Sequence, residues 1–264
     1  MNRAAAYFDV DETLTHDVTL FSFLRYDAHT TGRTTQAEGF LQELDARRAR
    51  GASRESTNRH YYQWWKDREV DEILDQSRNW WKVRLQDSDR YLRSDVLAKY
   101  DWHFHQGHDR VLLSGSFVQL IEPLAAALDV TRVIATAPLV RQGRFTGEIP
   151  EPVIGEAKRI ALIADARAHG IDLDSAHGYG DHSSDLPFLS ALGHPNLVTH
   201  PGIGWKDPGF PLHIWLPSLN KPNIVASMGS TGATHRWQVP DRTWHRAISP
   251  AHSAWNGRGD EEHY

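Results

Sequence analysis

Two kinds of hydrophobic pattern alternate along the chain. Apolar residues at three- and four-residue spacing predict amphipathic helices at 117–128 and 156–170. The second ends on Gly170, a residue type that commonly terminates helices. Shorter strand-like runs lie at 4–10, 109–116, 131–137, 174–181 and 195–200, and the first of them is almost continuously apolar, which predicts a buried strand. Strands that alternate with helices predict an α/β fold with a parallel sheet covered on both faces.

The pattern divides the chain into four stretches. Residues 1–16 hold the first strand and residues 92–217 hold the others, so together they form the predicted core. Residues 17–91 contain no convincing strand and are predicted to form a helical cap inserted after the first strand. Residues 218–264 are rich in Pro, Gly, Ser, His and Asn without periodicity, which predicts an irregular tail. A Gly-centred turn within 137–150 predicts a small hairpin.

Composition narrows the functional classes. The chain has 264 residues, a formal net charge of −5 and a sequence pI near 6.3, so it lacks the basic surface typical of nucleic-acid-binding proteins. The absence of cysteine excludes disulfides, thiolate metal sites and a cysteine nucleophile. No run reaches the roughly 18 apolar residues of a membrane span, and none near the start resembles a signal peptide. We expect a cytoplasmic protein with a small-molecule partner, and the oligomeric state stays open.

Two aspartates one residue apart follow the first predicted strand. Asp9 and Asp11 stand at its carboxyl end, where open parallel sheets place their ligand sites. Adjacent carboxylates repel each other unless one is protonated or a cation lies between them. Carboxylate oxygens suit a hard ion, so the pair predicts a Mg²⁺ site. A merely capped strand end is the alternative.

Further polar residues occur at the ends of other predicted elements. Ser114 and Gly115 end the second strand, and the glycine N–H can approach a phosphate oxygen closely. Lys158 lies at the start of a predicted helix, where a cation can neutralise an anionic intermediate. Asp181 and Asp185 form a second acidic pair after the fourth strand. These residues favour a catalytic interpretation over a capped strand end.

In this chain order, the aspartate pair, the serine, the lysine and the second acidic pair resemble the four motifs of the haloacid dehalogenase-like superfamily. The place of the helical segment resembles a C1-type cap. The stretches GRFTGEI, GEAKRIAL and YGDHSSDLPFLSALG are similar to the phosphoserine-phosphatase-like branch of subfamily IB. The resemblance covers residues 1 to about 217 and implies a Rossmann-like, three-layer core with a parallel sheet and an inserted helical cap.

The resemblance implies a covalent reaction at phosphorus. Asp9 would be the nucleophile that forms an aspartyl-phosphate, and Asp11 would act as general acid and then as general base. Ser114 and Gly115 would bind the phosphoryl group, and Lys158 would balance its charge. The implied activity is hydrolysis of a small phosphorylated metabolite.

The resemblance also implies a metal cofactor. Asp181 would ligate Mg²⁺ together with Asp9 and the main-chain carbonyl of Asp11. Asp185 would orient Lys158 or a metal-bound water. His182, like Ser184 nearby, departs from the residue that many relatives carry, which leaves the reaction class intact and the substrate open.

Several functional questions stay open at this stage. A phosphotransferase or mutase would use the same residues, and a catalytically inactive binding module is the non-enzymatic alternative. The sequence leaves open whether His16 and His182 face the site, and what the tryptophans of the tail do. Aromatic residues of the predicted cap recur at helical spacing and are expected to pack rather than to bind ligand. They are Tyr61, Tyr62, Trp64, Trp65, Trp80 and Trp81.

Phosphoserine is not the expected substrate. In phosphoserine phosphatases a glutamate nine residues after the nucleophile contacts the substrate's ammonium group, whereas Val18 stands nine residues after Asp9 here. An apolar side chain cannot pair with an ammonium ion. The alternative is a rearranged site for an amino-acid phosphate, in which Asp17 would pair with the ammonium group and the cap residue Arg59 would also take part.

Overall fold

Eight strands occur within the residues that the computed structural model describes, 3–199 and 209–215. In chain order they are β1 (Ala5–Phe8), β2 (Asp109–Phe117), β3 (Arg132–Thr136), β4 (Val140–Arg141), β5 (Arg144–Phe145), β6 (His177–Gly180), β7 (His194–Val198) and β8 (His213–Trp215). Six of them form one parallel sheet in the order β3-β2-β1-β6-β7-β8. The strands β4 and β5 form a separate antiparallel hairpin. The predicted α/β fold and hairpin are both confirmed.

Helices make up most of the remaining described chain. They are α1 (Thr19–Thr30), α2 (Thr34–Ala49), α3 (Arg54–Tyr61), α4 (Val70–Gln86), α5 (Ser88–Tyr91), α6 (Ser94–His105), α7 (Val118–Ala127), α8 (Glu156–His169) and α9 (Leu186–Leu189). Gly170 ends α8 in the left-handed region, at φ 65°, and its N–H donates to the carbonyl of Ala166. Among these described helices, none is both long and apolar enough to cross a membrane.

The first strand is buried on both faces of the sheet. Ala6 and Phe8 belong to the hydrophobic core on one side, and Ala5 and Tyr7 belong to the core on the other side. All four side chains are fully buried. Successive strand residues point to opposite faces, so a strand covered on both faces needs a continuous apolar run. This explains why the run before Asp9 does not alternate.

The sequence pattern did not indicate β8, which lies at the edge of the sheet. It pairs in parallel with β7 over three residues, with His213 opposite Asn196. Three residues that follow Pro211 are too few to show a periodicity, which is why the strand was missed.

The helices α1–α5 lie between β1 and β2, where the sequence predicted a helical insertion. Most of the aromatic side chains predicted to pack there are buried, with Trp64 half-buried. The insertion shares its apolar core with α7, and the Trp81 indole donates to the carbonyl of Leu120 at 2.7 Å. The residue bounds 17–91 of a cap domain stay a prediction, and the predicted tail at 218–264 lies outside the described residues.

A buried ionic network joins α8 to the sheet. Arg132 donates to both carboxylate oxygens of Asp165 on α8, at 2.8 and 3.0 Å, and also bonds Asp109 at the start of β2. The hydroxyl of Tyr7 donates to Asp165 at 3.0 Å. Substitution of Arg132 would leave buried carboxylates without their balancing charge, so we expect it to destabilise the fold.

Candidate active site

A tight turn after β1 brings Asp9 and Asp11 to one cavity. The N–H of Asp9 still bonds the neighbouring strand, donating to the carbonyl of Tyr179 at 2.9 Å. The chain then turns over Val10–Leu14, with Glu12 at φ 59° in the left-handed region. That conformation costs a non-glycine residue about 1–2 kcal/mol, so the surrounding packing must maintain it. Both aspartates consequently line the same cavity.

Lys158 is buried between two carboxylates. Its Nζ lies 2.7 Å from Oδ1 of Asp9 and 2.7 Å from Oδ1 of Asp185, and all three side chains are at most 5% exposed. Burial alone would lower the pKa of Lys158, but the charges of Asp185 and Asp9 outweigh it and raise that pKa. The side chain is therefore an ammonium at neutral pH.

Three buried carboxylates come together beside this ammonium. Carboxylate oxygens of Asp9, Asp181 and Asp185 lie within 4.8 Å of one another, and the Thr13 hydroxyl donates to Asp181 at 3.0 Å. Burial, followed by the charge of Asp185, raises the pKa of Asp181 to about 7. Burial and the neighbouring acids likewise raise the pKa of Asp9, against the opposing charge of Lys158.

The donor set of this cluster fits a magnesium ion. Three carboxylates face a single ammonium, so a divalent cation would balance the remaining negative charge. Hard oxygen donors are the ligands that Mg²⁺ prefers. The Asp11 side chain lies outside this cluster of acids, so the sequence-based ligand role of Asp11 rests on its main-chain carbonyl and stays a prediction.

Two hydroxyl residues hold the Asp11 carboxylate. Thr19 at the start of α1 donates to Oδ1 through its N–H at 2.7 Å and its hydroxyl at 2.5 Å. Ser116 donates to Oδ2 at 2.9 Å, and the two hydroxyl oxygens are 2.9 Å apart. Burial raises the pKa of Asp11, and these hydrogen bonds partly offset that effect. Sequence reasoning missed both residues.

A cavity of about 420 Å³ lies between the strand ends and the helices α2 and α3. The residues that line it from the helical insertion include apolar, cationic and amide side chains. They are Val18, Leu20, Phe21, Arg48, Ala52, Arg54, Thr57, Asn58 and Tyr61. The Oδ1 atom of Asn58 is buried and has no hydrogen-bond partner among the described residues. The cavity therefore offers cationic side chains in addition to the carboxylates of Asp9 and Asp11.

Comparison with known families decides the classification of this arrangement. The model of the haloacid dehalogenase-like hydrolase family matches residues 6–190, more than half of the chain. The chain belongs to the haloacid dehalogenase-like hydrolase family. The predicted family is thus confirmed, and the matched region includes every acidic residue of the cluster.

The chain is similar to one curated protein in part of its sequence and to two solved structures in its fold. A Mycobacterium tuberculosis protein named "Probable phosphatase" is 37% identical over 92 residues, which are 35% of this chain and 32% of the relative, so the match spans about a third of that protein. A protein of unknown function from Bordetella pertussis Tohama I superposes with a TM-score of 0.66 at 23% identity, covering 76% of this chain and 93% of that chain. A structure described as a phospho-aspartyl intermediate analogue of phosphoserine phosphatase superposes with a TM-score of 0.55 at 18% identity. The match covers 75% of this chain and 87% of that chain. At these identities, the two structures show a shared fold.

Some of the remaining site residues predicted from the sequence line the cavity, and others are not among its described lining residues. Gly115 lines the cavity, and a Cβ atom there would approach Ile154 to 3.0 Å. The fully buried Ser114 hydroxyl accepts from the N–H of Ser116 at 3.0 Å and is not among the described residues that line the cavity. His182 does line it, whereas His16 is not among the described lining residues. Burial, followed by a nearby arginine charge, lowers the pKa of His182.

Proposed function

We propose that this chain is a Mg²⁺-dependent phosphomonoester hydrolase that acts on small phosphorylated metabolites through a covalent intermediate on Asp9. The observation that supports it best is the contact between Asp9 and the buried ammonium of Lys158, with Asp11 lining the same cavity. A carboxylate is a competent nucleophile toward phosphorus. The transferred phosphoryl group carries negative charge, which the neighbouring ammonium can balance.

The first half-reaction transfers the phosphoryl group to the protein. Because Lys158 engages Oδ1 of Asp9, we assign Oδ2 as the attacking oxygen. The O–P bond forms as the bond between phosphorus and the substrate oxygen breaks, and Asp11 gives its proton to the departing alcohol. Thr19 and Ser116 fix the orientation of the Asp11 carboxyl group during this transfer.

The second half-reaction releases inorganic phosphate. Asp11, now a carboxylate, accepts a proton from a water molecule as the water oxygen bonds to phosphorus. The bond between phosphorus and Oδ2 of Asp9 breaks, so the carboxylate is regenerated. Lys158 remains beside Asp9 throughout and balances the charge of the transferred group.

The acidic cluster would hold the cofactor. Asp9, Asp181 and the main-chain carbonyl of Asp11 would bind Mg²⁺, and Asp185 would keep Lys158 in place through their 2.7 Å contact. A bound magnesium ion supplies charge neutralisation that brings an anionic phosphate close to an anionic nucleophile.

The cavity supports a substrate whose alcohol part carries further polar groups. Arg48 and Arg54 provide positive charge on the insertion side, which suits a second acidic group. The Asn58 amide, on the same side of the cavity, suits a hydroxyl or amino group of the substrate. Val18 and Phe21 add an apolar wall.

The structure also bears on the alternative amino-acid site. Asp17 pairs with Arg84 at 3.0 Å and accepts a hydrogen bond from Ser22, and it is not among the described residues of the cavity wall. Arg59 donates to the carbonyls of Ile149 and Pro150 at 2.8 and 2.9 Å. Both residues have partners elsewhere, which supports the proposal that phosphoserine is not the preferred substrate.

A substrate panel tests this function. Phosphate release would be measured with sugar, cyclitol, nucleoside and lipid monophosphates and with phosphoserine, with Mg²⁺ and with or without added acceptor alcohols. We expect free phosphate without any acceptor, and kcat/KM for phosphoserine below that of the best substrate. Product that appears only with an acceptor would identify a phosphotransferase, and a tenfold preference for phosphoserine would contradict the substrate proposal.

A further inference from the structure

Three histidine rings meet at the edge of the sheet opposite the proposed active site. His103 lies in the last turn of α6, His108 immediately precedes β2, and His177 begins β6. One ring nitrogen from each lies within 4.8 Å of the other two. His108 and His177 stand at the amino ends of β2 and β6, and His103 of α6 lies beside them, whereas Asp181 follows the carboxyl end of β6. At about 3.3 Å per residue, roughly 13 Å of strand separates His177 from Asp181, so the two groups form separate sites.

The hydrogen bonds of His103 hold its ring in the way that metal-binding histidines are usually held. Its Nε2 is 3.0 Å from the hydroxyl of Tyr179, and its Nδ1 is 2.9 Å from Nδ1 of His108. The ring is fully buried, so it has few alternative orientations. Metal-bound histidines characteristically use their second ring nitrogen in a hydrogen bond that fixes the tautomer. Tyr179 would take that part here and leave Nδ1 of His103 for an ion.

The spacing of two of the rings is close to that of a tetrahedral site. Two nitrogens bound to zinc at about 2.0–2.1 Å lie about 3.3 Å apart in tetrahedral geometry. Binding would therefore move Nδ1 of His103 and Nδ1 of His108 apart by only a few tenths of an ångström from their 2.9 Å separation. His177 completes the triangle, and the His194 ring stacks on it with centroids 4.4 Å apart.

We propose that His103, His108 and His177 bind one divalent cation of the zinc class, with water in a fourth position. The group offers only imidazole nitrogens, which suit Zn²⁺, Ni²⁺ or Cu²⁺ and do not suit Mg²⁺. His108 and His177 are half-buried, so an ion can reach them from solvent. Lys99 adds positive charge near His103, which opposes the binding of a cation.

The ion would join the end of α6 to the sheet. His103 comes from the helix and His177 from β6, and His108 comes from the segment that leads into β2. A ligand that binds only the folded chain raises the apparent stability by linkage. Zn²⁺ should therefore raise the melting temperature through this site, independently of Mg²⁺ at the acidic cluster.

The experiment uses the full chain, freed of metal and then saturated with Mg²⁺. Zn²⁺ binding is measured by calorimetry and by the shift in Tm, and Co²⁺ serves as a spectroscopic probe whose visible absorption reports nitrogen ligands. We expect a Zn²⁺ site and a Co²⁺ spectrum that are lost in His108→Gln and in His177→Gln. His105→Gln, at an exposed position of the same helix, is the matched control and should keep both.

The variants also separate this site from the acidic cluster. Asp181→Asn should bind Zn²⁺ at the histidines as the wild type does, and His108→Gln should keep wild-type Mg²⁺-dependent turnover, which shows that it folds. Wild-type Zn²⁺ affinity and Co²⁺ absorption in both His108→Gln and His177→Gln would overturn the proposal. A wild-type chain that shows neither Zn²⁺ binding nor a Tm shift would overturn it as well.

Discussion

Nζ of Lys158 lies 2.7 Å from Oδ1 of Asp9, and both side chains are 5% exposed. The contact joins the start of α8 to the end of β1, so two elements far apart in the chain meet at the proposed nucleophile. Because Lys158 also contacts Asp185, loss of the Asp9 charge still leaves the lysine with a buried partner. This makes substitution of Asp9 a test of chemistry rather than of folding.

Asp9→Asn should abolish turnover and leave the fold intact. An amide is a poor nucleophile, so we expect kcat to fall by at least about 1,000-fold. The measurement is phosphate release, with circular dichroism to confirm folding. Asp17→Asn is the matched control, since Asp17 pairs with Arg84 and is not among the described cavity residues. Comparable kcat in Asp9→Asn and wild type would exclude the covalent mechanism.

Thr19→Val should weaken proton transfer by Asp11. The variant removes the hydroxyl that donates to Oδ1 of Asp11 at 2.5 Å and keeps the N–H donor. We expect kcat/KM, which reports the first half-reaction, to fall about tenfold for an alkyl phosphate and much less for p-nitrophenyl phosphate, whose leaving group needs no proton. Thr30→Val, near the other end of α1, should change neither value. Equal losses of kcat/KM with both substrates would show that Thr19 does not assist protonation of the leaving group by Asp11.

Removal of divalent metal should stop the reaction. The carboxylates of Asp9, Asp181 and Asp185 would leave excess negative charge where a phosphate must bind. A chelator should therefore abolish phosphate release, and added Mg²⁺ should restore it. Asp181→Asn should need at least about tenfold more Mg²⁺ for half-maximal rate. Undiminished turnover in chelator would disprove the metal assignment.

Arg48→Gln should alter substrate preference more than the chemical step. If Arg48 contacts an acidic group on the alcohol part, its loss should raise KM about tenfold for substrates that carry such a group. The rate with p-nitrophenyl phosphate should hardly change. Arg47→Gln removes a charge one residue away, where it pairs with Glu43 at the surface, and should have no effect. The decisive measurement is the ratio of kcat/KM values for the two substrate types in each variant.

Arg132→Met should destabilise the fold strongly. The variant deprives Asp165 and Asp109 of their shared arginine, which is 8% exposed. Loss of one partner from such a buried network costs about 3–5 kcal/mol of unfolding free energy. Arg78→Met breaks an exposed pair with Asp75 and should cost no more than about 1 kcal/mol. Urea denaturation monitored by tryptophan fluorescence compares them, and similar midpoints would contradict the assigned role.

The sequence predicted the sheet well because buried parallel strands leave a strong local signal. The runs that end at Asp9 and Ser114 are apolar on both faces, and each was placed within a few residues of the observed strand. Asp9 directly follows β1, Lys158 lies in the first turn of α8 and Asp185 immediately precedes α9, and these element ends bring the three residues together. Their catalytic roles stay predictions until the variants are measured.

Other parts of the site depend on packing that no local pattern reveals. Thr19 and Ser116 reach Asp11 only because α1 starts beside the end of β2, and single hydroxyl residues have no periodicity to mark them. Arg48 and Asn58 line the cavity because α2 and α3 fold back over the strand ends. Both features are properties of tertiary structure.

The indole of Trp81 and the carbonyl of Leu120 join the helical insertion to α7, and Phe117 packs against Phe23 and Trp65 of the insertion. A segment that shares its interior with the rest of the protein is not an exchangeable module. Grafting a relative's insertion between β1 and β2 would leave Phe117 and α7 facing water or a poorly fitting surface. New substrate preferences in this chain should therefore arise from single substitutions along the cavity wall, with the insertion kept whole.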